Sequence, residues 1–348
     1  MLESLTKQLA SREPLTQQQV ADAVEQLIAE TIPASLKAEF LTALSTKGES
    51  VEEIASFARE LRGKCTALPL DSQTRDQEIL DVCGTGGDRL NTFNISTTVA
   101  LVAASAGVMV AKHGNRAITS QAGSADVLEA LGIQIELAPE RAGEFLRDHH
   151  FVFLFAPKYH CTFKNIAPAR KLCAEKGQRT IFNFLGPLLN PAAPTAQLIG
   201  VPRRELCEPV ARVLQLLGAR RGMVVSGAVG TAQLDELSTL GDNAVAEFYQ
   251  ERGFHTSVLS PQQFPLQPAE LKDLSGSDAR ANAQIVRSIL RGDERGPKRD
   301  AVLLNSAAAL FVAARVKTMA DGWDLAGQLI DSGAASRKLE ELVTASRS

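Results

Sequence analysis

The segment Gly84-Thr85-Gly86-Gly87-Asp88 constrains the fold more than any other stretch of this 348-residue chain. Glycines at 84, 86 and 87 give a turn that tolerates left-handed backbone. They also let N–H groups close on anionic oxygens, because no Cβ blocks the approach. Ile79-Leu80-Asp81-Val82 before the turn reads as a short buried strand, and the apolar run from Val99 to Ala106 after it reads as a helix. Strand, glycine turn and helix are the parts of a phosphate cradle. The glycine spacing fits neither the dinucleotide fingerprint nor the P-loop, so those two readings fail.

Three further segments add chemistry. Asn94-Ile95-Ser96-Thr97 lies where the next helix should begin, offering hydroxyls and unpaired N–H groups to the same ligand, although plain N-capping would also account for Ser96 and Thr97. Lys112-His113-Gly114-Asn115-Arg116 follows the strand candidate Val108 to Ala111 and so falls at the carboxyl edge of a sheet, where open α/β sheets bind ligands. Lys112 and Arg116 supply positive charge there and Asn115 an amide. Thr119, Ser120, Gly123 and Ser124 continue the donor-rich loop, with Ser124 the expected N-cap of a helix running to Leu131. Asp235-Glu236 sits between apolar residues. As an isolated pair it would read as an acidic turn, but beside a phosphate cradle adjacent carboxylates suit Mg²⁺.

The net charge of −3 and the sequence pI near 6.0 argue against general binding to nucleic acid or to a membrane surface. An anionic ligand therefore needs a local positive site or a metal. The five cysteines are odd in number and form no CxxC pair, which predicts reduced thiols and no zinc site. No basic-then-apolar leader and no membrane-length apolar run is visible, so the expected location is the cytoplasm.

Residues 1–74 read as an all-helical domain. Thr16 with Gln19 and Ser50 with Glu53 form capping boxes ahead of apolar residues at helical spacing, and Pro33 opens a further helix that Gly48 stops. Short helices of this kind must bury their stripes against each other or against a partner chain. Residues 75–348 alternate strand and helix, which predicts a mainly parallel sheet flanked by helices. Strand candidates include Ile133-Gln134-Ile135, Phe151 to Phe155, Leu198 to Val201 and Met223 to Val225. Part of 158–178 is helical and basic and is expected to return to the first domain.

The run from Asp81 to Leu131 resembles anthranilate phosphoribosyltransferases, relatives of the nucleoside phosphorylases. The likeness continues through Phe155-Ala156-Pro157, Ala167-Pro168-Ala169-Arg170, Arg179 to Asn183, Leu185-Gly186-Pro187 and Leu234 to Ser238, and so covers nearly the whole chain. It implies a cytoplasmic homodimer, built on the helical domain, that makes N-(5-phosphoribosyl)anthranilate for tryptophan biosynthesis. By the same resemblance, Gly84, Gly87, Asp88, Thr92, Asn94, Ile95, Ser96, Thr97, Lys112, Ser120 and Ser124 would hold phosphoribosyl pyrophosphate (PRPP). Gly84, Asn115 and Arg170 would hold anthranilate, with His113, His160 and Pro187 lining its channel. Ser96, Asp235 and Glu236 would serve Mg²⁺, two ions per subunit. No nucleophile or catalytic base is assigned, and His113 reads as pocket lining. Alternatives are a nucleoside phosphorylase, a transferase for another aromatic amine, and a silent ligand-binding paralogue. The intact Asp235, Glu236 and glycine turn weigh against the last, and Asn115 with Arg170 against the first.

The sequence departs from the family pattern at Arg89, where glycine is usual, and at Cys161, Leu189 and Gln233. The segment from Lys171 to Gln178 is about three residues longer. These departures are expected to cluster on the acceptor side.

Overall fold

The computed structural model describes residues 1–117, 121–249 and 253–347. Four helices open the chain: α1 (Leu2–Ala10), α2 (Gln17–Ile28), α3 (Ala34–Lys47) and α4 (Val51–Gly63). Both capping boxes form. Thr16 accepts from the Gln19 N–H while Gln19 returns to the Thr16 N–H, and Ser50 and Glu53 do the same. Pro33 is the N-cap of α3, one position ahead of the helix it was expected to open.

The strands are β1 (Ile79–Gly84), β2 (Met109–Gly114), β3 (Phe151–Phe155), β4 (Ala196–Gly200), β5 (Arg221–Val229), β6 (Ala232–Leu234), β7 (Asn243–Tyr249) and β8 (Gly253–Leu259). They form one sheet in the order β3-β2-β1-β4-β5-β7-β8, with β6 paired to β5. The five strands β3, β2, β1, β4 and β5 are parallel, whereas β6, β7 and β8 pair antiparallel. The chain builds outward from β1 in one direction to β3 and then returns to add β4 on the other side of β1. The topological switch therefore lies between the ends of β1 and β4, where Gly84 pairs with Gly200.

Alternation along the strands sends side chains into two cores. Leu80, Val82, Val110, Leu198 and Val225 pack against the helices Ile95–Ser105 and Pro297–Val312. Cys83, Ile199, Val224 and Phe248 face the other way and join the apolar stripes of α1 to α4, the 166–189 segment and the helix Cys207–Leu216. The helical start of the chain is thus continuous with one face of the sheet.

One strand expectation fails. Ile133 and Ile135 are buried, but the segment is not in the sheet. β3 already occupies the place beside β2, and the Gln134 N–H is taken by the Ser346 hydroxyl. Ser124 is also not the N-cap of its helix. Gly123 takes that position, and the Asp126 carboxylate accepts from the Gly123 N–H.

Candidate active site

Three glycines at the ends of neighbouring strands open a path for residues 235–238 to cross above the sheet. A Cβ on Gly84 would stand 2.2 Å from Asp235 Oδ2, one on Gly200 would stand 1.6 Å from the Asp235 carbonyl oxygen, and one on Gly227 would stand 2.5 Å from Ser238. Asp235 and Glu236 are laid directly over the switch point as a result. The Gly86 N–H donates to Asp235 Oδ2 at 2.6 Å, and the Ser96 N–H donates to Glu236 Oε1 at 3.2 Å. Glycine turn, helix start and acidic pair, far apart along the chain, meet at one point. Gly200 and Gly227 carry no local motif, and only a contact across the sheet reveals their purpose.

The turn itself is shaped by positive φ at Gly86 (+76°) and Gly87 (+92°), with Arg89 (+61°) and Asn91 (+53°) following. Arg89 thus adopts backbone that suits the glycine the family pattern would place there. Thr92 bridges to Ser275, and Phe93 N–H donates to Leu274 O, which pins the far end of the loop. Asn94 is the N-cap residue of the helix Ile95–Ser105, and its amide is held between Asn282 and the Ala122 carbonyl. Ile95 is buried in the core and its N–H goes to Phe93 O, so it offers a ligand neither side-chain polarity nor a free amide. Thr97 is buried, and its hydroxyl has no partner among the described residues.

The electrostatics are those of a site short of positive charge. Asp235 is raised well above the usual carboxylate range, first by burial and then by Asp88 and Glu236. Burial pushes Glu236 up to about 7 against the opposing pull of Lys112. Lys112 is buried, and its ammonium donates to Val82 O at 2.6 Å and to Ser96 Oγ at 3.2 Å. It lies beneath the cradle as a countercharge. Hard oxygens of Asp88, Asp235 and Glu236 that repel each other in this way fit a divalent cation, although no group of three His, Cys, Asp or Glu stands in ligating array among the described residues.

On the other side of β1, a row of rings leads away from the cradle. His113 and His160 face each other with Nε2 atoms 3.0 Å apart and ring centroids 5.0 Å apart. His160 stacks with Phe163 at 4.8 Å, Phe163 meets Phe182 edge-on at 6.0 Å, and the Arg170 guanidinium lies 5.2 Å above Phe182. Arg170 is exposed and has no carboxylate at ion-pair distance among the described residues. The flanking rings Phe163 and Phe182 were not singled out from sequence, since isolated phenylalanines read as core. Pro187 is buried, and its carbonyl accepts from Gln197. Asn115 is exposed beyond β2 and accepts the Arg116 N–H, and Ser124 closes the same loop through the Asn115 carbonyl. Ser120, with Thr119, lies outside the described residues.

Arg116 does not serve the cradle as the sequence suggested. Its guanidinium pairs with Asp126 and Glu129 on the following helix and stacks over Phe155. Of the departures, Cys161 and the 171–178 segment adjoin the ring row next to His160 and Arg170, whereas Leu189 and Gln233 make contacts elsewhere. Leu189 is buried in the core shared with the helical segment, and Gln233 ties Ser226 to the Arg204 N–H. The extended 171–178 segment turns back onto α3, where Gln178 donates to Ser45. Cys161 is exposed and bonds to Lys158 O.

A helical bundle joined to an α/β sheet, with an acidic pair over a glycine turn at the switch point, defines a class of glycosyl transferases. Family profiles for that class match the chain twice, the helical bundle domain over residues 3–65 and the a/b domain over residues 76–336. An anthranilate phosphoribosyltransferase from Thermoanaerobacter sp. (strain X514) is 45% identical over 99% of this chain and 98% of its own. The crystal structure of the Thermus thermophilus anthranilate phosphoribosyltransferase superposes with a TM-score of 0.89 at 40% identity, covering 99% of both chains. The Saccharomyces cerevisiae enzyme, solved in complex with PRPP and Mg, gives 0.87 at 30% identity over 99% of this chain and 98% of its own. The chain belongs to the anthranilate phosphoribosyltransferase family, and it is an enzyme of pentosyl transfer.

Proposed function

We propose that this chain transfers the phosphoribosyl group of PRPP to the amine of anthranilate, releasing pyrophosphate, in tryptophan biosynthesis. The observation that carries the reading is the meeting of the glycine turn, the start of the helix Ile95–Ser105 and Asp235–Glu236 above the switch point. In this reading Gly84, Gly87, Asp88, Thr92, Asn94, Ile95, Ser96, Thr97 and Ser124 surround the donor, Ser120 is expected to join them, and Lys112 balances charge from below. Ser96, Asp235 and Glu236, next to Asp88, would hold Mg²⁺, two ions per subunit. Bound Mg²⁺ would neutralise the charge that grows on departing pyrophosphate.

The remaining work falls to positioning. Breaking the bond to pyrophosphate builds positive charge at the ribose anomeric carbon, and a neutral aromatic amine attacks such a centre if it is aimed. Arg170, already oriented over Phe182, can grip the anthranilate carboxylate through two parallel N–H donors. The ring row from Phe182 to His113 then supplies a flat wall for the aromatic ring, with Asn115 at its mouth. Holding amine and carbon together in this way accounts for a large part of the barrier without a nucleophilic side chain.

The assembly we favour is a homodimer in the cytoplasm, formed through the helical unit of residues 1–74 with part of 158–178. A cavity of about 590 Å³ opens there between α1, α3 and the helix Ala167–Glu175, lined by Leu9, Ala38, Ala43 and Leu172 among others, and its walls are mostly apolar. Among the described residues no helix is long and apolar enough to cross a membrane.

The test is the loss of anthranilate fluorescence on mixing with PRPP and Mg²⁺, run beside Arg170→Ala. Turnover that requires Mg²⁺, with the anthranilate KM raised about tenfold or more in the variant and the PRPP KM unchanged, supports the reading. PRPP binding without anthranilate turnover would assign the acceptor to another amine.

A further inference from the structure

Cys65, just past the end of α4, faces His160 with Sγ 2.9 Å from Nδ1, and His160 in turn faces His113 at 3.0 Å between Nε2 atoms. His113 and His160 are buried. Two histidines meeting through Nε2 need one N–H and one lone pair between them, so their tautomers are coupled. Only one arrangement satisfies every atom. The thiol hydrogen points at His160 Nδ1, His160 Nε2–H donates to His113 Nε2, and the remaining His113 Nδ1–H faces the Gly186 backbone, which favours protonation of that ring. The reverse arrangement sends the thiol hydrogen to the Leu61 carbonyl, 3.5 Å away, and leaves a His113 lone pair against Gly186. The Gly186 backbone favours the first, and the thiol, 2.9 Å from Nδ1, completes it by donating to His160.

We propose that Cys65 is a positioning residue for the acceptor pocket: its thiol hydrogen locks His160, and through it His113, into single neutral tautomers and fixed ring planes. The assignment of the pocket itself rests on the function proposed above. Other properties agree. Burial pushes the Cys65 thiol up to about 12, so it keeps its hydrogen. Burial also drives His160 down to about 4 and, with His160 beside it, His113 down to about 3, so both rings stay neutral at working pH. His113 has its Nε2 lone pair already occupied, which makes it a wall of the pocket and not a base for the amine proton. Cys65 thereby links the helical bundle to the carboxyl end of β2, an arrangement reinforced by the Thr66 N–H bond to Tyr159 O at 2.8 Å.

The experiment compares the full-length protein with Cys65→Ala and Cys65→Ser, reading histidine ring nitrogens by long-range ¹H–¹⁵N correlation and the two KM values by the fluorescence assay. The wild type should show protonated Nε2 on His160 and protonated Nδ1 on His113. Cys65→Ala should mix the tautomers and raise the anthranilate KM about fivefold, the worth of one hydrogen bond, with the PRPP KM unchanged. Cys65→Ser, which keeps a donor, should restore single tautomers. Unaltered tautomers in Cys65→Ala would overturn the inference, as would equal rises in both KM values. A wild type that ignores anthranilate would instead refute the acceptor assignment, while the nitrogen shifts would still decide the tautomer lock.

Discussion

Gly200→Ala puts the architecture of the site to its hardest test. The added methyl would start 1.6 Å from the Asp235 carbonyl oxygen, whereas contacts under 3.0 Å are essentially never seen for a real Cβ. The obstacle is backbone on a crossing segment, not the tip of a flexible side chain, so Asp235 and Glu236 must move by more than an ångström. Overpacking of this kind costs about 1–3 kcal/mol of stability. The alanine recovers about 0.5–1 kcal/mol of that by restricting the unfolded chain, so the protein should still fold. Function should suffer more, because an ångström of misplacement in a catalytic arrangement costs about 100-fold in rate. We expect a modest fall in Tm, a kcat/KM reduced about 100-fold or more in the fluorescence assay, and a weakened Mg²⁺ requirement. Gly48→Ala, between α3 and α4 and away from the cradle, is the control: nothing packs within 4 Å of the added Cβ, and only its positive φ is strained, at about 1 kcal/mol. Near-normal turnover in Gly200→Ala would refute the idea that close backbone contact at the switch point sets the acidic pair.

Other outcomes follow from the same geometry. Arg89→Gly should raise stability by about 1 kcal/mol in urea titrations, since Arg89 holds a φ of +61° that glycine adopts freely. Glu236 titrates near 7 when folded and near 4.5 when not, so the folded state holds the extra proton. Its stabilising share is complete below about 4.5 and is lost as pH rises to about 7. With Asp235 and Asp81 acting in the same sense, the three carboxyl groups outweigh the opposite effect of His113 and His160, and the Tm of the metal-free protein should fall across that window. Saturating Mg²⁺ should flatten the fall, and Glu236→Gln should lessen it, leaving the shares of Asp235 and Asp81, which are raised likewise, against the opposing shares of His113 and His160, which are lowered. A slope identical in Glu236→Gln would place the titration elsewhere. The kcat profile between pH 5 and 8 should carry no limb that disappears in His113→Gln, because His113 is already neutral there.

What could be read from the sequence was local chemistry, and what could not was chemistry made by crossing the sheet. The capping boxes at Thr16 and Ser50, the strand before Gly84 and the helix after Asn94 each depend on neighbours within a few residues, and each formed as spelled out. Arg116 misled because its ion-pair partners Asp126 and Glu129 become neighbours only once the next helix folds back on the loop. Ile133 to Ile135 misled because strand propensity cannot say that the adjoining sheet position is filled. Cys65 and Phe163 gave no signal, being ordinary residues whose importance is set by His160 between them.

The same distinction explains why the site lies where it does. The connections that leave the carboxyl ends of β1 and β4 part for opposite faces of the sheet, although the strands stay paired as far as Gly84 and Gly200. A cleft there comes at no cost in strand pairing, but it has no side chains of its own to fill with chemistry. Gly84, Gly200 and Gly227 let a later segment descend into it until the Asp235 side chain meets the Gly86 amide. The acidic pair is then held in a partly desolvated place where its charges are uncomfortable, with Lys112 beneath as a buried counterweight. That imbalance is the property a divalent cation and a polyphosphate would complete together. A carboxylate pair fully neutralised by arginines would be more stable in the free protein and would have no reason to bind either.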